Sequence, residues 1–450
     1  MLAGLFLLLP TAACDRLGPF LEPLDRQETP ALAVRAERLI VRPGEEIENG
    51  TLLIERGVVI AAGKDVAVPE GVEVLTGKVA CAGFVDPWSS LGLDPTSVGD
   101  MGTTPSTRAV DALNPWYRPD ERTDALRSGV TAARVQTGQR AVFAGIGALV
   151  HTEEDTHTAV LLEDACLAST IGISRGGRAP DVFDRVTEVD RLIGALEKGK
   201  RYRESQIDYR AELEKWTKAI VEKATELEKD FKKAKKDREK EEKESKEKGK
   251  EFKEKKYKED KKPRKVRPDP DDEVLARAID GELPLVVEVH RASEIRRLLE
   301  KTESFDRLRL VIAGATEALP FAEELAERSI PVILWPAPMG SPRADEYQAH
   351  DPALAGELAR AGVRVLIGSG GGREAQELRF LAALAVGHGM EREAALAAIT
   401  TVPAEVFDAA DRLGALEIGR SGDVLVFDGD PLDTSAGLRF VVSRGEVVVQ

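Results

Sequence analysis

The residues best placed for chemistry are Glu288 and His290, in the run Leu285-Val286-Val287-Glu288-Val289-His290. A carboxylate and an imidazole two apart on a β-strand point the same way. Such a pair could hold a divalent metal weakly, with water completing the shell, or work as a metal-free acid/base pair. Asp86 and Glu317 are possible helpers. The structural alternative is a hydrogen-bonded or ion-paired remnant, with Arg291 or Arg373 as partner. Imidazole is scarce, with five histidines in 450 residues: His151, His157, His290, His350 and His388. His388 falls in a turn between helical stretches, His350 in a polar loop, and His151 and His157 after a strand-like run. All four read as ordinary surface or core residues. Gly368-Ser369-Gly370-Gly371-Gly372 has the look of a phosphate cradle before a helix, yet it lacks the Lys-Ser/Thr of a P-loop, and simple loop freedom explains it better. Cys81 and Cys166 lack partners at metal or redox spacing and read as core residues.

These side chains need a scaffold, and the pattern between residues 81 and 414 supplies one. Short β-branched runs at 82–88, 129–136, 284–290, 308–315, 331–337 and 363–369 alternate with helical stretches at 292–301, 316–328, 352–361 and 373–387. That alternation predicts an α/β fold, with a parallel sheet and crossover helices. The length suits a (β/α)8 TIM-type barrel, whose active site lies at the C-terminal ends of its strands. Residues 31–80 and 415–450 read differently, as short strands broken by turns. Neither end makes a full sheet alone, so together they predict one small composite β-sandwich domain.

Charge divides the chain. The whole carries 64 Lys+Arg and 79 Asp+Glu, for a net charge of −15, which argues against nucleic acid as a partner. Residues 197–268 hold 28 basic and 19 acidic residues, +9, leaving 36 and 60, −24, on the rest. Within this basic insertion Leu213, Trp216, Ile220, Ala224, Leu227, Phe231 and Ala234 recur at helical steps, and Pro263 ends the run. The spacing predicts a long amphipathic arm, packed at its start and solvated beyond, with coiled-coil character. Such an arm could dock a partner or an anionic lipid surface.

The first residues, Leu2-Ala3-Gly4-Leu5-Phe6-Leu7-Leu8-Leu9, are too few to span a bilayer. Thr11-Ala12-Ala13-Cys14 follows, so residues 1–14 read as the end of an export signal. Cys14 is placed as the lipidated cysteine of a bacterial lipoprotein. The expected location is the periplasm or a membrane-anchored position in a bacterial envelope. Three cysteines in 450 residues exclude a disulfide framework.

The β–barrel–β plan resembles the amidohydrolase superfamily. The clearest likeness is residues 394–433, AALAAITTVPAEVFDAADRLGALEIGRSGDVLVFDGDPLD, which is similar to that superfamily's C-terminal signature. Val85-Asp86, Arg108-Ala109-Val110-Asp111-Ala112-Leu113-Asn114-Pro115, Gly129-Val130-Thr131 and Val289-His290-Arg291-Ala292 match too. They resemble a bacterial, often exported, imidazolonepropionase-like branch. The resemblance implies metal-dependent hydrolysis of non-peptide C–N bonds, with one or two divalent ions such as zinc or manganese activating water.

It also implies ligand positions: an H-x-H after the first strand, a His after each of two later strands, and an Asp after the last. In this chain those positions are Trp88 and Ser90, then Glu288, Gly314 and Gly370. Four histidines and an aspartate have become Trp, Ser, Glu, Gly and Gly, and no histidine lies within residues 82–92, 308–318 or 364–374. The leading expectation is therefore a non-catalytic binding or scaffold pseudoenzyme with a small-molecule or protein partner, anchored to the membrane through a lipid. The rivals are an active hydrolase rebuilt around Glu288 and His290, with Trp88 and Trp335 threatening to plug its cleft, and an interaction protein that works through the charged arm.

Overall fold

The computed structural model describes residues 31–94, 104–114, 116–137, 141–152, 160–172, 182–245, 261–335 and 351–449. Cys14 with the export signal, His157 and His350 lie outside the described residues. The chain divides into two compact units, Met1–Gly83 with Asp411–Gln450, and Phe84–Ala410.

The first unit begins with four strands, β1 (Leu32–Arg42), β2 (Glu45–Glu55), β3 (Val58–Gly63) and β4 (Glu73–Ala82). β1 pairs antiparallel with β2 and parallel with β4, and β2 pairs antiparallel with β3. Alternation of apolar and polar residues sends Leu32, Val34, Leu39, Leu52, Ile54 and Leu75 into one core.

The second unit carries eight consecutive strands in one sheet, ordered as in the sequence. They are β5 (Phe84–Ser89), β6 (Val130–Val135), β7 (Phe143–His151), β8 (Val160–Thr170), β9 (Leu285–Val289), β10 (Leu310–Gly314), β11 (Val332–Leu334) and β12 (Val365–Ile367). Helices intervene: α1 (Pro119–Arg127) before β6; α2 (Val182–Ser245) and α3 (Pro270–Ile279) before β9; α4 (Ala292–Thr302) before β10. α5 (Ala322–Glu327) and α6 (Leu354–Arg360) precede β11 and β12. α7 (Leu378–Gly387), α8 (Arg392–Ala397) and α9 (Thr401–Val406) close the unit.

The sheet comes close to a barrel. Its two outer strands meet through side chains and loop amides: Gly370 N donates to Trp88 O at 3.1 Å, and Ser369 N to Asp86 Oδ1 at 3.0 Å. The interior is filled by Trp88, Ala144, Cys166, Val286, Val311, Ile333, Leu366 and Phe407 rather than left as a pore. Cys81 and Cys166 are both buried, one in each unit.

Two departures from the expected (β/α)8 pattern matter. β6, β7 and β8 follow one another antiparallel, where the expectation was parallel strands throughout. β6, β7 and the second half of β8 are buried, and their apolar sequence does not record the direction in which the chain returns. The helical arm also starts at Val182, not residue 197, because Val189, Leu192, Ile193 and Leu196 already form a buried stripe. Beyond that stripe the helix leaves the body, and Ile207, Val221 and Leu227 are exposed. Its 64 residues make a rod of about 96 Å.

The chain then returns to the first unit with β13 (Val424–Phe427), β14 (Leu438–Ser443) and β15 (Glu446–Val449). β13 pairs antiparallel with β4, Leu425 opposite Cys81. The result is one continuous seven-stranded sheet, β15-β14-β13-β4-β1-β2-β3. A sandwich of two packed sheets was the expectation. The hydrogen-bonded seam between β4 and β13 joins what would otherwise be two sheets into one.

Candidate functional site

β9 ends with Glu288 facing the same way as His290, as the two-residue spacing requires, and both side chains are only about a tenth exposed, 13% and 11%. His290 Nε2 lies 3.6 Å from Glu288 Oε1. Glu288 Oε2 accepts a hydrogen bond from Thr170 Oγ1 at 3.3 Å, at the end of β8. On its other side the imidazole meets Thr316: His290 Nδ1 and Thr316 Oγ1 are 2.7 Å apart.

The turn after β10 brings Thr316 there. Gly314 and Ala315 are both left-handed, with φ of 80° and 48°. Ala315 N donates to Val289 O at 2.8 Å and Glu317 N to His290 O at 2.9 Å, so the turn is pinned onto the end of β9. A Cβ on Gly314 would stand 2.4 Å from His290 Cε1. The imidazole thus occupies the space that any side chain at position 314 would need.

Trp335 stands edge-on to His290, ring centroids 6.0 Å apart, and Trp88 lies 5.4 Å beyond Trp335. Trp335 does not plug the site. Among the described residues it walls a small cleft with Gly314, Thr316, Asp351, Pro352 and Leu354.

Deeper in the barrel a second set of groups sits below Trp88. Arg134, on β6, is fully buried. Its guanidinium lies 4.8 Å from the Trp88 ring centroid and 5.3 Å from that of Phe407. Nε donates to Pro87 O at 2.6 Å, and Nη1 donates to Gln136 Oε1 and Cys166 Sγ at 2.6 and 3.2 Å. Arg134 is therefore a protein cation held by two aromatic faces at the first strand's end.

Asp86 is close enough for that charge to act on it, and is fully buried. Burial pushes its carboxyl up from 3.8 to about 6, against the pull of the Ser369 hydroxyl, the Ser369 and Trp88 amides and the Arg134 charge. Oδ1 accepts from Trp88 N and Ser369 N at 3.0 Å each, and Oδ2 from Ser369 Oγ at 2.5 Å.

Residues 286–449 match the model of the amidohydrolase family. The match spans the part of the chain from β9 to the C-terminal strands. Solved structures of amidohydrolases have a similar fold. An amidohydrolase from Thermotoga maritima MSB8 superposes with a TM-score of 0.70 at 21% identity, covering 93% of this chain and 100% of that one. Molinate hydrolase gives 0.52 at 17% identity, covering 94% of this chain and 95% of its own. Ochratoxinase from A. niger gives 0.51 at 14%, covering 94% and 96%. The chain matches no curated protein sequence.

Amidohydrolases usually work through a divalent metal, and the residues at the matching positions do not fit one. Trp88 is buried under a guanidinium and has no lone pair to offer. Gly314 has no side chain, and His290 fills its space. Gly370 has φ of 88°, a conformation that disfavours the aspartate expected there. Ser90 sits against Gly372, 3.3 Å from where a Cβ there would be. Among the described residues no three His, Cys, Asp or Glu side chains converge on a point where a metal could sit.

The expected helpers of Glu288 and His290 are engaged elsewhere. Asp86 closes the seam between β5 and β12, and Glu317 Oε2 accepts from Ala292 N at 2.7 Å at the start of α4. Glu288 accepts from Thr170 and faces His290. The glycine-rich loop is no anion cradle either. The Ser369 and Gly370 amides donate to β5, Gly368 N to Leu334 O on β11 and Gly371 N to Ser369 Oγ, and Ser89 Oγ donates to Gly371 O at 2.9 Å. His151, buried on β7, faces Thr131 O at 3.3 Å in a structural contact. Thr316, Thr170 and Arg134 are the participants that the sequence did not mark. Arg134 alone left a trace, as a charge inside the apolar run Val130-Thr131-Ala132-Ala133-Arg134-Val135.

Proposed function

We propose that this chain is an amidohydrolase-fold barrel that has given up metal-dependent hydrolysis and takes a small, uncharged ligand in the cleft beside His290. One observation carries the reading. The Arg134 guanidinium lies on the Trp88 ring, at the strand end where the superfamily's H-x-H would bring its ion. A fixed cation there repels a divalent ion, and restoring one histidine would not remove it. The imidazole seated over Gly314 supports the same conclusion at the second position. The imidazolonepropionase-like branch, export, and anchoring through Cys14 belong to this reading, supported by the Arg108–Pro115 motif and the apolar start of the chain.

The test is elemental mass spectrometry of the purified protein after incubation with zinc and manganese and extensive dialysis. Well under 0.1 metal per chain is expected. Retention near one metal per chain, lost on Glu288→Ala, would overturn the proposal.

A further inference from the structure

We propose that Thr316, His290 and Glu288 form a metal-free nucleophilic centre that cleaves esters of short, uncharged acyl groups. The inference rests on the reading that this barrel uses no metal. Three observations converge on it.

The first is the chain of contacts. Thr316 Oγ1 is 2.7 Å from His290 Nδ1, hydrogen-bond reach for a hydroxyl giving up its proton to an imidazole. The other ring nitrogen, Nε2, faces Glu288 Oε1 at 3.6 Å, and Thr170 holds the far oxygen of that carboxylate. Nucleophile, base and orienting carboxylate therefore follow one another in space, the base and carboxylate at the end of β9 and the nucleophile on the turn after β10.

The second is the backbone. Two successive left-handed residues, Gly314 and the alanine after it, place Thr316 at the head of a tight strand-to-helix turn. A left-handed alanine is strained, and here two hydrogen bonds to β9 hold the strain in place. Nucleophilic hydroxyls are presented on sharp strand-to-helix turns of this kind. Among the described residues the Thr316 amide makes no hydrogen bond, so it is available to a developing oxyanion.

The third is access. Among the described residues Thr316 and Gly314 line the cleft, with Leu334, Trp335 and Leu354 as its apolar walls. Apolar walls this close together favour a short acyl chain over a long one, and the Asp351 carboxylate among the lining groups repels an anionic one.

The step balances without a metal or redox partner. Thr316 Oγ1 bonds to the ester carbonyl carbon, and its proton passes to His290 Nδ1. The C–O bond to the alcohol breaks, and the alcohol leaves with that proton. Water then attacks the acyl-threonine; His290 takes the water's proton and returns it to Thr316 Oγ1 as the carboxylic acid departs. Glu288 is a positioning residue, acting only through His290.

The experiment incubates the full chain with p-nitrophenyl acetate and with an alkyl fluorophosphonate, and reads intact mass, peptide maps and p-nitrophenol release. One adduct per chain is expected on the peptide that carries Thr316. Thr316→Ala should abolish it, and Thr316→Ser, with a less hindered hydroxyl, should label faster. His290→Ala should slow labelling about a hundredfold and Glu288→Gln about tenfold, with Glu288→Asp restoring part of the rate. A succinate half-ester should react more slowly than the acetate. An adduct that survives Thr316→Ala, or none on either the wild type or Thr316→Ser, would overturn the inference while leaving the metal-free reading intact. Hydrolysis that needs a retained metal and stops with a chelator would overturn both.

Discussion

Replacing Asp86 by Asn offers a quantitative test of the barrel seam. Asp86 is buried, and its carboxyl titrates near 6 instead of 3.8. That rise corresponds to about 3 kcal/mol, at 1.36 kcal/mol for each tenfold change in proton affinity. A carboxyl whose folded pKa is raised stabilises the fold while protonated. That contribution is complete below pH 3.8 and is lost as pH rises past about 6. Asparagine mimics the protonated form: its oxygen can accept from the Trp88 and Ser369 amides, and its NH2 can donate to Ser369 Oγ, which keeps Gly371 O as its own acceptor at 2.9 Å.

The variant should therefore gain on the wild type with pH. Urea unfolding followed by tryptophan fluorescence, which reports Trp88 and Trp335, gives the stability difference from pH 4 to 8. Over that range it should move by about 2.4 kcal/mol in favour of Asp86→Asn, nearly all of it between pH 4 and 7. A difference that stays flat would mean the carboxyl is not desolvated as the geometry requires. A difference that moves in favour of the wild type would mean that Arg134 and the donors around Asp86 outweigh its burial.

Two further perturbations probe the same unit. Gly314→Ala puts a methyl group 2.4 Å from the imidazole at a φ of 80°, so it should cost at least about 2 kcal/mol and shift Trp335 emission as His290 is displaced; unchanged melting would show that the ring is not fixed there. Arg134→Ala leaves a void between Trp88 and Phe407 and should cost about 3–5 kcal/mol by denaturant unfolding, whereas Arg134→Met refills the space and should cost less. Equal losses for the two would show that charge, not volume, is what the interior needs.

Much of the scaffold was legible because its signals are local. β6 and β9–β12 lie within the expected apolar runs, shorter by one to three residues at each end, and β5 starts two residues late and ends one residue beyond its run. β-branched residues on a strand buried on both faces leave an unbroken apolar run. β7 and β8 were not placed, because apolar runs do not record whether a helix or a short link joins them. The early start of α2 was missed because Asp184, Arg185, Glu188 and Asp190 dilute its stripe, although Arg185 and Glu294 form a buried pair at 2.6 Å.

In the site, Glu288 and His290 were legible from their spacing. Thr316 was not, since what places it is a left-handed turn at Gly314 and Ala315, and that conformation is settled by hydrogen bonds to β9. Arg134 was unreadable in role for a similar reason. The rings that hold it, Trp88 and Phe407, lie far away along the sequence.

The pairing of β4 with β13 has a consequence for how the chain is made. Cys81 leaves the ribosome long before its partner Leu425, and at about 5–20 residues per second the wait is roughly 20–70 s. Throughout that time one edge of β4 shows unpaired amides and carbonyls beside the apolar residues of β1 and β2. An open edge of this sort is a template for pairing with a neighbouring nascent chain. The barrel can finish folding while the sheet still waits. Crowded polysomes and slow translation should therefore lower the yield of this protein more than they would for a chain whose sheets close locally.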